Sequence, residues 1–182
     1  MKKLYIIIFS LVLITNSNAG TKKKIIENLK NTKNINFEFE QNINGKIEKG
    51  NCTIKYPKKI FCKYVGIKRK ILVSDSKMLV IKTKSSYYRY SLRKTYLNLI
   101  LDKNFLINKI LDTKEKIFNK TYLKYKIFHN NIEIDIIFNN QTYDLVGWEM
   151  IDAYQNINSV FISIIKKNQK IKKNLFTLPA QI

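Results

Sequence analysis

From Ile35 onward the chain alternates apolar and polar residues in short runs, and this period of two constrains the fold more than any other feature. Ile35, Phe37 and Phe39 alternate with Asn36, Glu38 and Glu40, the mark of a strand with one buried face. Asn44-Gly45 follows, a hairpin signal because both central positions of a type I′ turn need positive φ. Residues 47–56 read as the return strand, Tyr56-Pro57-Lys58-Lys59 as the next turn and 60–65 as the strand after it. Residues 70–74, 78–82 and 86–90 continue the series, with a turn at Asp75-Ser76. Connections this short make neighbouring strands antiparallel. Strands resume over 124–128, 131–138, 143–151 and 158–165, and 175–178 is expected as a short last strand.

Two stretches break the period. Residues 21–32 place Ile25, Ile26 and Leu29 on one face of a short amphipathic helix. Residues 95–111 carry Leu97, Ile100, Leu101, Phe105, Ile107 and Ile110, which read as one or two short helices broken near Asp102, with Thr95 as a cap for the first. A single-domain antiparallel sheet of about ten or eleven strands curls rather than lying flat. The expected fold is therefore mainly β: an unclosed antiparallel β-barrel whose apolar concave face is covered by short helices. Such an interior holds either a ligand or a filled side-chain core, and the alternation leaves both open.

The amino terminus reads as an export signal. Lys2 and Lys3 precede an apolar run of 11 residues, Leu4 to Ile14, and Ser17 and Ala19 supply small residues for a cut after Ala19. The run is shorter than the roughly 20 residues a membrane span needs. Residues 1–19 are thus expected to be removed, leaving one domain over 20–182. Gly20 rather than a cysteine follows the cut, so no lipid anchor is expected, and no later segment is apolar enough to span a bilayer.

The chain carries 34 Lys+Arg against 13 Asp+Glu, a net charge of +21, and removal of Lys2 and Lys3 leaves +19. An excess this large attracts anionic partners such as a phospholipid surface, although abundant Lys, Asn and Ile also fit a coding bias. Export and the scatter of the lysines argue against nucleic acid. An oxidising compartment permits a disulfide between Cys52 and Cys62. A hairpin centred near residue 57 sets them almost opposite, on a shared face. Two free buried thiols remain the alternative.

Catalytic chemistry is not visible. His129 is the one histidine, in an expected turn beside Asn130 and Asn131; no HExxH, CxxC or glycine-rich phosphate loop occurs. No enzyme activity, metal or cofactor is expected. Trp148 follows Gly147 within a strand pattern, where glycine permits a bulge or close backbone approach, and Trp148 reads as core or cavity lining.

Several segments, in order, resemble the periplasmic outer-membrane lipoprotein carrier proteins, the LolA family. They are Ile26-x-x-Leu29, Ile35-Asn36-Phe37-x-Phe39-x-Gln41, Gly50 through Tyr56-Pro57 to Phe61, Ile71-Leu72-Val73-Ser74-Asp75-Ser76-Lys77, Leu145-x-Gly147-Trp148 with Asp152, and Phe176-Thr177-Leu178-Pro179. The resemblance implies an unclosed barrel covered by helices. Its cavity would take the acyl chains of lipoproteins released by an inner-membrane ABC transporter and pass them to an outer-membrane lipoprotein receptor. A monomer working in the periplasm is expected, and the positive charge adds transient contact with anionic membrane. On this reading Phe37, Phe39, Ile54, Tyr64, Val73, Val80, Leu97, Ile100, Phe105 and Trp148 contribute to the acyl-chain cavity. The family often carries Arg before the Pro, where it holds the lid helices down; here Tyr56 takes that place as the expected lid contact. Ser76 stands where the family turn has glycine. A general lipid- or lipopolysaccharide-binding protein and a sensor domain of similar fold are the alternatives.

Overall fold

The computed structural model describes residues 17–66, 69–117, 119–129, 132–151 and 156–181. The apolar run at 4–14, Asn130, Asn131 and Asp152 lie outside them. Helix α1 (Ser17–Asn31) leads into strands β1 (Asn34–Ile43), β2 (Lys46–Lys55), β3 (Lys59–Tyr64), β4 (Ile71–Asp75), β5 (Met78–Lys82) and β6 (Tyr87–Ser91). A 3-10 turn (Leu92–Lys94) and helices α2 (Leu97–Ile100) and α3 (Lys103–Asp112) follow. The chain returns through β7 (Glu115–Ile117), β8 (Tyr122–His129), β9 (Ile132–Asn139), β10 (Leu145–Ile151) and β11 (Ile157–Lys167).

All eleven strands form one sheet in the order β6-β5-β4-β3-β2-β1-β11-β10-β9-β8-β7, and its edge strands β6 and β7 do not pair with each other. The sheet is therefore unclosed and antiparallel, with a few short helices, as the alternation and short turns predict. The topology also explains the helices. Residues 92–114 connect one edge of the sheet to the other, so they must cross a face, and the apolar sides of α2 and α3 are buried there. Ile25, Ile26 and Leu29 of α1 join Ile100, Leu106 and Ile110 in a core shared with both halves of the sheet.

Local chemistry accounts for the turns. Asn44 and Gly45 take φ of 50° and 84°, as a type I′ hairpin requires. Asp102, where the helical pattern breaks, caps α3 by accepting from the Phe105 amide at 3.1 Å. Thr95 does not cap α2: the residue before that helix is Tyr96, and the Thr95 hydroxyl donates back to the Leu92 carbonyl, closing the 3-10 turn. At Gly147 the β9–β10 register shifts, and a Cβ there would lie 2.4 Å from the Val160 carbonyl oxygen. Glycine is needed for that approach.

Three further expectations are corrected. Helix α1 starts at Ser17, four residues before the expected start at Thr21. His129 ends β8 and meets the Phe105 ring edge-on at 5.4 Å. Residues 175–178 form a turn and extended chain, not a strand. That tail starts where Gln169 and Asn34 exchange hydrogen bonds and ends where Tyr87 and Lys82 donate to the Pro179 and Ala180 carbonyls. It thus crosses from the middle of the sheet to its β5–β6 edge, pairing with neither.

Candidate functional site

One end of the covered face is filled and the other is hollow. At the filled end Ile35, Ile54 and Leu145 pack in one core with α1 and α3. At the other end lies a cavity of about 230 Å³. Phe37, Phe39, Ile60, Leu72 and Leu79 wall it from β1, β3, β4 and β5, and Trp148, Met150 and Val160 from β10 and β11. Thr95, Tyr96 and Leu97 wall it from the segment that crosses the sheet. Cys52 and Cys62, directly paired across β2–β3, are joined by a disulfide that forms part of the wall.

The lining is apolar except at one end. There the Gln41 amide donates to Asn158 at 3.2 Å, and the Tyr64 hydroxyl lies 3.5 Å from the Gln41 oxygen. Burial pushes the Tyr64 phenol up to about 12, and the negative charge of Glu48 adds to the shift. The Tyr64 ring stands edge-on to Phe39 at 5.0 Å.

The residues expected in the cavity divide three ways. Phe37, Phe39, Tyr64, Leu97 and Trp148 line it. Ile54 and Ile100 point to the same side but sit in the filled core, 0% and 1% exposed, while Phe105 lines a separate recess with His129 and Ile132. Val73 and Val80 are placed on the other face. Val73 pairs with Phe61 and Val80, one residue out of phase with Cys62, Leu72 and Leu79. Runs such as Ile71-Leu72-Val73 and Leu79-Val80-Ile81 are apolar on both faces, so alternation there does not say which parity turns inward. Ile60, Leu72, Leu79, Met150 and Val160 also line the cavity; Val160 pairs with Trp148, and Ile60 shares a strand face with Tyr64.

Tyr56 is buried in the core and lines a crevice with Asn28, Leu29 and Thr32 of α1. Its amide donates to the Lys33 carbonyl at 3.0 Å, and burial raises its phenol well above the ordinary tyrosine range. Besides their buried apolar faces, the helices are fastened by lysines. Lys103, at the start of α3, donates to the Lys30 and Thr32 carbonyls at the end of α1 (3.0 and 2.8 Å) and lies 5.6 Å from the Tyr56 ring. Lys22, near the start of α1, donates to the Leu111 and Thr113 carbonyls at the end of α3 (3.1 and 2.9 Å). Each helix thus supplies a cation to the negative end of the other's dipole. The β2–β3 turn adds Lys58, whose amide donates to the Leu101 carbonyl at 3.0 Å and whose ammonium pairs with Asp102 at 3.1 Å.

The model of the family described as "Outer membrane lipoprotein carrier protein LolA" matches residues 30–179, which takes in the whole sheet and the crossing helices. The chain belongs to the LolA family. As a LolA protein it is a periplasmic lipoprotein carrier, and not an enzyme. Among the described residues no group of three or more His, Cys, Asp or Glu side chains is placed to hold a metal ion. No curated protein matches the sequence. Among solved structures, a LolA superfamily protein from Nitrosomonas europaea is 10% identical, with a TM-score of 0.43 over 87% of this chain and 98% of its own. A DUF1329 family protein from Desulfovibrio piger is 8% identical, with a TM-score of 0.42 over 89% of this chain and 98% of its own. Likenesses at that level carry no argument, and the assignment rests on the family model.

Proposed function

We propose that the hollow end of the covered face receives the acyl chains of a lipoprotein. The observation that carries this reading is an apolar cavity walled by both halves of the sheet and by the segment that crosses it. At about 230 Å³ it is smaller than the roughly 300–1,000 Å³ of ordinary ligand pockets. Thr95, Tyr96 and Leu97 therefore move outward when cargo is admitted, while the lysine-fastened helices hold the filled end. Each buried CH₂ contributes about 0.8 kcal/mol, so acyl chains bind tightly without a charged contact. The Tyr64–Gln41–Asn158 chain offers hydrogen bonds to the carbonyl groups that join those chains to the protein. Residues 1–19 act as a cleaved export signal and 20–182 form the carrier. An inner-membrane ABC transporter supplies the cargo and an outer-membrane lipoprotein receptor takes it, the carrier acting as a monomer.

Incubating the purified chain with spheroplasts bearing a triacylated lipoprotein tests this. The expected result is a soluble complex of carrier and lipoprotein. Leu79→Trp, which fills the cavity, should abolish the complex while circular dichroism stays native. No complex from the unaltered chain would overturn the reading. Recovery of free phospholipid in its place would indicate a general lipid-binding protein.

A further inference from the structure

Among the described residues the sheet ends at β6, which pairs with β5 alone. Register sets Tyr88 opposite Ile81 and Tyr90 opposite Leu79, so both rings are on the cavity side of the sheet, with Tyr90 next to a wall residue. Tyr96 follows on the cavity rim. The three rings are 51%, 45% and 41% exposed, three large amphipathic groups left half wet in one region. The same stretch is basic: residues 76–101 contain Lys77, Lys82, Lys84, Arg89, Arg93 and Lys94 and no Asp or Glu, and Arg89, opposite Val80, projects from the other face between the two tyrosines, so the patch wraps the edge of the sheet. Of the flanking carboxylates, Asp75 accepts from the Lys77 and Met78 amides and its charge reaches Arg89, while Asp102 pairs with Lys58 and accepts from the Phe105 amide.

We propose that the β6 edge and the turn after it dock on a surface of anionic phospholipid headgroups, beside the cavity. Tyrosine rings seat at headgroup depth with the hydroxyl in water, and Arg and Lys side chains take the phosphates. A layer of headgroups offers phosphate to every cation across the patch. A protein that adds a strand is disfavoured, because β6 is five residues long with Arg89 at its centre, a charge that blunts an edge against pairing. This surface rests on the carrier reading only for the meaning of its place beside the cavity.

The test is co-sedimentation of the purified chain with phosphatidylcholine vesicles, with and without phosphatidylglycerol. The chain should bind only the phosphatidylglycerol vesicles. Arg89→Gln/Arg93→Gln/Lys94→Gln should weaken binding at least about tenfold, and Tyr88→Ser/Tyr90→Ser should weaken it as well. Lys166→Gln/Lys170→Gln/Lys172→Gln removes the same charge from exposed positions elsewhere and should bind nearly as the unaltered chain does. All variants are checked for native circular dichroism. Absence of binding, equal loss in the two charge variants, or indifference to the tyrosines would overturn the proposal. So would native vesicle binding by the patch variants together with lost transfer from the transporter, which would make the patch a protein contact. The vesicles contain no lipoprotein, so failure here leaves the carrier reading standing. A chain that binds vesicles but extracts no lipoprotein overturns that reading alone.

Discussion

Ser76 sits at φ 95°, left-handed backbone that glycine adopts freely and other residues occupy at a cost of about 1–2 kcal/mol. The turn is held by Asp75, whose carboxylate accepts from the Lys77 and Met78 amides, both at 2.8 Å. Partial burial works to raise the Asp75 pKa, and those amides outweigh it, leaving the group below its ordinary value. Ser76→Gly should stabilise the protein by about 1 kcal/mol, read as a raised denaturation midpoint in urea. The tyrosines set the alkaline limit. A phenol raised from 10 to about 12, as Tyr64 is, contributes stability that is fully present below pH 10 and is lost as pH rises towards 12. The more deeply buried Tyr56 extends that loss to higher pH. Ultraviolet titration should show Tyr56 and Tyr64 ionising only as the fold is lost.

At the scale of elements, the two longer helices are held by reciprocal lysine caps. Lys103→Met keeps the aliphatic stem but removes two bonds to the end of α1. A loss of about 1–2 kcal/mol is expected, with faster hydrogen exchange at the carboxyl end of α1, measured by mass spectrometry. Unchanged exchange there would mean the apolar face of α1 holds it unaided. The helices were legible from the sequence because Ile25, Ile26 and Leu29, and later Leu97, Ile100, Leu101, Ile107 and Ile110, recur at helical spacing. The hairpins were legible because Asn44-Gly45 and Tyr56-Pro57 punctuate the alternation. Strand β7 was not, since three residues carry too little pattern. Residues 175–178 carry a strand-like apolar pattern without forming a strand, because they belong to a tail that lies against the sheet rather than pairing with it.

For the molecule as a whole, the +19 charge left once Lys2 and Lys3 are removed from the +21 of the full chain should govern how fast the carrier meets anionic surfaces rather than which cargo it holds. Long-range attraction is screened over about 8–10 Å at physiological ionic strength. Association with an anionic membrane should therefore slow as salt rises, with little change in dissociation of bound lipoprotein. Stopped-flow mixing with anionic vesicles at several salt concentrations measures this, and an association rate flat across the series would mark the charge as coding bias.

Alternation, turn residues and helical spacing were enough to reach an unclosed antiparallel sheet with helices on it, because each is a local property of a few neighbouring residues. The hollow end was not readable that way. Phe37 and Ile54 have equally good inward patterns, yet Phe37 borders empty space while Ile54 is enclosed by packed side chains. The difference lies in how far the crossing helices reach over the sheet. Val73 and Val80 follow the same logic, buried on the outer face because sheet register turned them there. Where both faces of a strand are apolar, its parity is set by hydrogen bonding to its neighbours, and whether a buried face is filled or hollow is set by elements far away in the chain.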